Sequence, residues 1–370
     1  MKSMEKYMKM LRLEPYRDRT EIPVFPMLVA TYGALGDVSQ KDIMNSQEKW
    51  LESVENTIKK IGRPDVSMAI CPADTVFSMS LPVRLPGREL ADDALYQFVE
   101  KPYFEDEQEY ANIMKMGWQN WYGNYMMNIQ VPPFSSPAQL GQRFGLLGER
   151  VGKVIGFMMS KGIVPCFEAA CMPIYDMLSM IRSMADFTCD FYEDPGPIMD
   201  IIRTFQPAED ENNIRMMKAN HGTRIAIFAM RSSASFVSPD MFREYIWPEL
   251  KASILRYHEA GLTSVIHADG NWLPMLPSFT ELPKGCCHIE LDGTTDIFKA
   301  YEILQGSQSI RGDVPSTLFA FGTPEEVSQY CEKLIQMGMR GGFMLSSGCE
   351  VPLNAKVECV KAMMDSVRTA

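Results

Sequence analysis

The chain has 370 residues, 46% of them apolar, and a formal net charge of -11. That is enough apolar sequence to bury a core as one domain, and a (β/α)8 barrel with insertions is the usual way to fill this length as a single unit. The acidic field disfavours nucleic acid and anionic membrane surfaces as partners, no apolar run is long enough to span a bilayer, and Met1–Lys9 lacks the apolar core of a signal peptide, so a cytoplasmic location is expected.

Residues 1–20 read as an N-terminal helical extension. Short β-rich runs then alternate with helical patterns, as a parallel sheet requires. The expected strands are Pro23–Ala30, Val66–Cys71, Ile163–Ala169, Arg224–Met230, Thr263–Ala268, Cys286–Leu291, Ser309–Asp313 and Gly342–Ser347. Most are nearly continuous apolar runs, as strands buried on both faces should be. Pro72–Gly162 is far longer than one crossover helix needs. It holds an acidic stretch, Asp92–Glu109, followed by Trp118, Trp121, Tyr122 and Tyr125. After a barrel strand such an insertion lies at the catalytic mouth, where it is either a cover over the substrate or a solvated helical excursion. Ser238-Pro-Asp opens a helix that Pro248 should kink and Gly261 should end. Thr323-Pro-Glu-Glu is a capping box for another, stopped at Gly338.

In a barrel the strand ends converge on one mouth, so the reactive side chains there matter most. They are Cys71 and Asp74, Glu168, Arg231, His267 and Asp269, Glu290 and Asp292, Asp313, and Cys349 and Glu350. His267-Ala-Asp-Gly270 is the most informative piece. Its i, i+2 spacing puts imidazole and carboxylate on one side of an extended chain, and Gly270 lets the chain turn away. With a thiolate, the pair can hold zinc in three positions and leave a fourth open. By spacing alone, a helix-capping Asp and a simply hydrogen-bonded His are the commoner arrangement. Cys349, after Ser346-Ser-Gly, is the best-placed of nine scattered cysteines, which otherwise read as reduced core thiols. Cys286-Cys-His288 opens its strand at the opposite end and reads as structural. The chain has no G-x-S-x-G elbow, P-loop or dinucleotide fingerprint. The 29 methionines read as core filler or as a soft lining for a planar ligand.

The order of several segments resembles the uroporphyrinogen decarboxylase superfamily. They are Ser238-Pro-Asp-Met-Phe-Arg-Glu-Tyr-Ile-Trp-Pro, His258-Glu-Ala-Gly261, Ile266-His-Ala-Asp-Gly-Asn271, Ile310-Arg-Gly-Asp-Val314, Gly322-Thr-Pro-Glu-Glu-Val327 and Gly341-Gly-Phe-Met-Leu-Ser-Ser-Gly-Cys-Glu-Val-Pro352. The resemblance implies the α/β barrel independently of the strand pattern. The decarboxylase branch carries an Arg-rich segment where this chain reads Pro26-Met-Leu-Val-Ala-Thr-Tyr-Gly33, without arginine, and Cys71-Pro-Ala-Asp74 takes the place of its Phe-Ser-Asp. The other branch contains cobamide-dependent methyltransferases that hold zinc through His-x-Cys and a later Gly-Cys. His267 and Cys349 match two of those ligands, and Asp269 stands for the third. A carboxylate is a harder donor that leaves the metal more Lewis acidic, which suits polarising an oxygen on the methyl donor. Glu290–Ala300 is similar to members associated with anaerobic O-demethylation.

The resemblance therefore implies a methyltransferase that moves methyl from a small methoxylated donor, an aryl methyl ether, to the cobalt of a separate corrinoid protein. This chain lacks the D-x-H-x-x-G cobalt-ligating motif. His267, Asp269 and Cys349 would hold zinc; without a metal, Asp269 or Glu168 would be the acid. Arg231, Tyr175 and Asp74 are the expected substrate contacts. The alternatives are a decarboxylase and a non-catalytic tetrapyrrole- or corrinoid-binding barrel.

Overall fold

The computed structural model describes residues 1–74 and 81–368; residues 75–80 of the long insertion lie outside it. The strands are β1 (Val24–Phe25), β2 (Val66–Ser67), β3 (Val83–Arg84), β4 (Gln97–Phe98), β5 (Val164–Pro165), β6 (Ala169–Cys171), β7 (Arg224–Phe228), β8 (Thr263–Ala268), β9 (Cys287–Leu291), β10 (Ser309–Val314) and β11 (Phe343–Ser347). Seven of them form one curled parallel sheet in the order β1-β11-β10-β9-β8-β7-β6. β2 and β5 pair in parallel beside it. The Asp65 amide donates to the Val24 carbonyl at 3.1 Å and the Val164 amide to the Asp65 carbonyl at 2.9 Å, which ties this pair to β1.

The expected strand positions are occupied, with three main differences in extent. The run from Pro23 to Ala30 is a strand only over Val24–Phe25. The run from Val66 is paired only over Val66–Ser67, and the run from Ile163 is broken into β5 and β6. The break occurs where its partner changes: Cys166 N–H bonds Ser67 on one side, and Glu168 N–H bonds Arg224 on the other. β9, β10 and β11 are buried at every residue, which explains their apolar runs.

Helices cover the outside of the sheet. Ser238 caps the helix that begins at Pro239, and a π-helical turn, Phe242–Ile246, precedes the α-helix Trp247–Glu259. Pro248 has no N–H to offer the Glu244 carbonyl, and its ring crowds that oxygen, so the turn widens. Thr323 and Glu326 form the reciprocal capping box of helix Pro324–Gly338. At the other end of the sheet, helix Ser3–Leu11 buries Tyr7, Met10 and Leu11. The Tyr7 hydroxyl donates to the Cys166 carbonyl at 2.7 Å. Among its described residues the insertion contributes the antiparallel β3–β4 pair and the helices Gln108–Met116, Trp118–Asn128 and Pro137–Ser160. Among the described residues no helix is long and apolar enough to cross a membrane.

Candidate metal centre

Parallel register builds the site one strand at a time. Phe228, His267, Glu290 and Arg311 are successive register partners on β7, β8, β9 and β10, so their side chains stand in one row across the sheet. His267 is buried and its Nδ1 lies 2.9 Å from Glu290 Oε2. Glu290 Oε1 is 2.8 Å from Arg311 Nε, and both side chains are fully enclosed. Arg311 also donates to Ser346 Oγ at 2.8 Å and to the Ser347 carbonyl at 3.2 Å, and its guanidinium lies over the Phe25 ring. Burial alone would raise the Glu290 pKa, but Arg311 and His267 hold it well below the usual carboxylate range. An ionised Glu290 accepting from Nδ1–H leaves the Nε2 lone pair directed elsewhere.

Nε2 faces Asp269 Oδ1 at 3.4 Å. The ligand atoms of His267, Asp269 and Cys349 all lie within 4.8 Å of one another. Asp269 directly follows β8, and Gly270 adopts φ +84°, where a Cβ would stand 2.5 Å from Ser233 Oγ. Asp292 Oδ2 accepts the Gly270 N–H at 2.7 Å, and Trp272 Nε1 donates to the Asp269 carbonyl at 2.9 Å, so the turn is pinned on both sides. Cys349 is placed by its neighbours. A Cβ at Gly348 would lie 2.5 Å from the Asp292 carbonyl oxygen, so only glycine allows this approach. Glu350 Oε1 accepts the N–H groups of Val29, Ala30 and Thr31 at 3.1, 2.6 and 3.1 Å, anchoring the loop to the segment after β1.

Three potential metal-ligand atoms converge here. Burial depresses the His267 pKa, yet the carboxylates of Asp269 and Glu290 outweigh it and the net shift is upward. Burial, then the Asp269 charge, pushes the Cys349 thiol up to about 11. The Asp269 carboxylate contributes to both shifts, so it would favour a positive charge at the point of convergence. A proton supplies that charge for one pair, and a divalent cation supplies it for all three. Imidazole, carboxylate and thiolate are zinc ligands, so the residues fit that ion.

The other expected site residues lie elsewhere. Glu168 accepts the N–H groups of Thr223 and Arg224 and pairs with the Arg224 guanidinium at the start of β7. It is therefore a clamp at the opposite end of the strands, because the run it was expected to end continues through β6. Asp74 is buried in an ion pair with Arg150 Nε at 2.7 Å. Arg231 is engaged by both oxygens of Glu100, at 3.1 and 2.9 Å, and by the Ser179 carbonyl. Tyr175 packs against Phe187 and Phe191 and lines a pocket with Met199, Ile202 and Gln206, away from the three ligands. Cys287 and His288 are buried, with His288 Nδ1 2.9 Å from Ser309 Oγ. Sequence reasoning assigned no role to Arg311, whose signal was a cation in the middle of a buried strand. Glu290 and Glu350 stood in the sequence as strand-end acids, without the positioning roles they have here.

A family model described as uroporphyrinogen decarboxylase (URO-D) matches residues 151–370, more than half of the chain. The chain belongs to the uroporphyrinogen decarboxylase family. The matched region contains the whole row and all three candidate ligands. The first 150 residues, with most of the insertion, lie outside it. Among solved structures, a methyltransferase from Methanosarcina mazei is similar, with a TM-score of 0.67 and 13% identity, over 100% of this chain and 98% of that one. At that identity the likeness is one of fold. No curated protein matches by sequence.

Proposed function

We propose that this URO-D family chain is a methyltransferase on a closed (β/α)8 barrel, taking methyl from a small methoxylated donor and passing it to the cobalt of a separate corrinoid protein in the cytoplasm. The observation that carries the reading is the convergence of His267 Nε2, Asp269 and Cys349 with Glu290 behind the imidazole. In the reaction the methyl carbon–oxygen bond breaks, the oxygen keeps that electron pair, and reduced cobalt supplies the pair for the new carbon–cobalt bond. The protein therefore needs no nucleophile of its own; it must stabilise a departing oxygen. Zinc held by His267, Asp269 and Cys349 would supply that charge stabilisation as a Lewis acid. Glu290 fixes the imidazole and Gly348 and Glu350 place the thiol. Asp269 presents the hard donor where thiol-activating relatives have cysteine. Phe228, whose ring centroid lies 5.1 Å from that of His267, offers an apolar wall beside the row, which suits an aromatic donor.

Two measurements test the reading. Protein purified without chelators should carry zinc, which His267→Ala loses. Reduced cobalamin mixed with the protein and a methoxylated arene should show the colour change of methylation, and Asp269→Asn should abolish it. Asp269→Cys should keep zinc and lower ether cleavage, because added thiolate charge weakens the Lewis acid. Undiminished ether cleavage in Asp269→Cys would reject the role given to the carboxylate. Carbon dioxide release from a porphyrinogen, with no cobalt methylation, would move the reading to a decarboxylase. That outcome runs against the arginine-free Pro26–Gly33 segment.

A further inference from the structure

Within the insertion an acidic stretch runs directly into an aromatic one, and the fold brings part of each to one cavity. Helix Gln108–Met116 ends at Gly117, whose φ of +80° turns the chain straight into helix Trp118–Asn128. The turn folds the second helix back, so that Trp121 Nε1 donates to Glu109 Oε1 at 2.6 Å. Beyond the second helix the chain returns. The Phe134 N–H donates to the Met127 carbonyl at 3.0 Å, and Gln139 Oε1 accepts the Ser135 N–H at 2.7 Å. Tyr103 completes the lining. Its backbone N–H donates to the Ile181 carbonyl at 2.9 Å, its hydroxyl accepts from Asn128 Nδ2 at 2.8 Å, and its ring stands edge-on to Trp121 at 6.1 Å.

The cavity between these segments is about 310 Å³, a size that holds a small molecule. It is lined by the rings of Tyr103, Trp121 and Phe134, the side chains of Met116 and Met127, and the Glu109 carboxylate among neutral polar groups. Among the described residues no lysine or arginine lines it. Both donors to Glu109 are neutral: the indole N–H on one oxygen, and the Asn112 amide on the other at 2.8 Å. They fix the carboxylate without cancelling its charge. Aromatic faces are electron-rich and attract cations, and an indole that donates to a carboxylate is polarised further in that sense. The lining therefore selects positive charge, and it also selects the kind of cation. A metal ion or a bare ammonium would surrender tightly held water that rings and thioethers replace poorly. A methylated ammonium is weakly hydrated and spreads its charge over an apolar surface, which suits rings, thioethers and a nearby carboxylate together.

We propose that this cavity binds a small organic cation with a methylated ammonium head. Glu109 supplies the charge, and Tyr103, Trp121 and Phe134 supply the surface. The site shares no residue with the His267 cluster, and the proposal does not depend on the function proposed for that cluster.

The experiment is a titration of full-length protein, isotopically labelled at the methionine methyl groups, followed by NMR. Met116→Leu and Met127→Leu assign the two signals that report on the cavity. Choline is the probe. Its control is dimethylbutanol, the neutral alcohol in which carbon replaces the choline nitrogen. Choline should shift the Met116 and Met127 signals saturably, while the buried Met10 and Met363 stay still. The neutral alcohol should need about tenfold more ligand for the same shift. Glu109→Gln keeps an oxygen for the Trp121 N–H and should weaken choline binding about tenfold, and Phe134→Leu should weaken it about fivefold. Equal action of choline and the neutral alcohol would overturn the proposal, because the cavity would then be merely apolar. So would choline binding to Glu109→Gln at the wild-type strength. The absence of saturable shifts at Met116 and Met127, or the same shifts from sodium chloride, would overturn it as well.

Discussion

Glu290 and Arg311 illustrate how one buried pair serves both stability and the site. Each charge is enclosed, so removing one partner leaves the other uncompensated. Glu290→Gln should cost about 3–5 kcal/mol in urea unfolding. It should also weaken zinc binding by about 10–100-fold, because the imidazole loses the charged acceptor that orients it. The double variant Glu290→Gln/Arg311→Met should recover much of the stability and none of the affinity. Recovery of both would mean that Glu290 matters to packing alone. Asp176 gives a second prediction at this scale. Burial pushes its pKa from 3.8 up to about 7, against the pull of its hydrogen bonds from Arg231 and Ser232. A raised folded pKa means the folded state holds the proton more tightly. This contribution to stability is complete below about pH 4 and is lost as pH rises through about 7. The loss is at most about 4 kcal/mol. Unfolding midpoints measured between pH 4 and 8 should therefore fall less steeply in Asp176→Asn than in the wild type; parallel curves would remove Asp176 as the cause.

At the scale of elements, the candidate ligands are delivered by strand ends and held by the turns that follow. Gly348→Ala removes no ligand, yet its Cβ would meet the Asp292 carbonyl oxygen, and Asp292 also holds Gly270 beside Asp269. The variant should lose about 1–3 kcal/mol of stability. Because both ligand-bearing loops lean on Asp292, it should bind zinc more weakly, read by competition with a chromophoric chelator. Unchanged affinity would show that the loops adjust independently. These turns were partly legible in the sequence. Gly270 and Gly348 marked where the chain leaves its strands, but the atoms that forbid a side chain there come from other strands. The break between β5 and β6 was not legible, since it arises from a change of partner that local pattern does not record.

At the scale of the whole molecule, the N-terminal helix is part of the core. Tyr7, Met10, Leu11 and Tyr16 are buried, and the Tyr16 hydroxyl donates to the Phe343 carbonyl at 2.6 Å. Each large apolar side chain contributes about 1.5–3 kcal/mol. Deleting residues 2–16 should therefore remove most of the roughly 5–15 kcal/mol typical of a domain and abolish a cooperative urea transition. Zinc gives a complementary test, because a ligand that binds only the folded state stabilises it. Chelation should lower the thermal midpoint of the wild type and leave that of His267→Ala unchanged.

The sequence by itself determined the positions of β7 to β11, because strands buried on both faces need apolar runs that local composition displays. It also determined His267 and Asp269 as neighbours, because alternation along one strand is local geometry. The approach of Cys349 to them was a choice among cysteines in the sequence, and the tertiary structure decided it by bringing the ends of β8 and β11 to one place. The tertiary structure alone decided the partners of each charge. Glu168, Asp74 and Arg231 are as polar in sequence as Glu290, but register and the path of the insertion pair them with Arg224, Arg150 and Glu100. A side chain's charge is written in its residue type, whereas the partner that satisfies it depends on which distant segment the fold brings within hydrogen-bond reach.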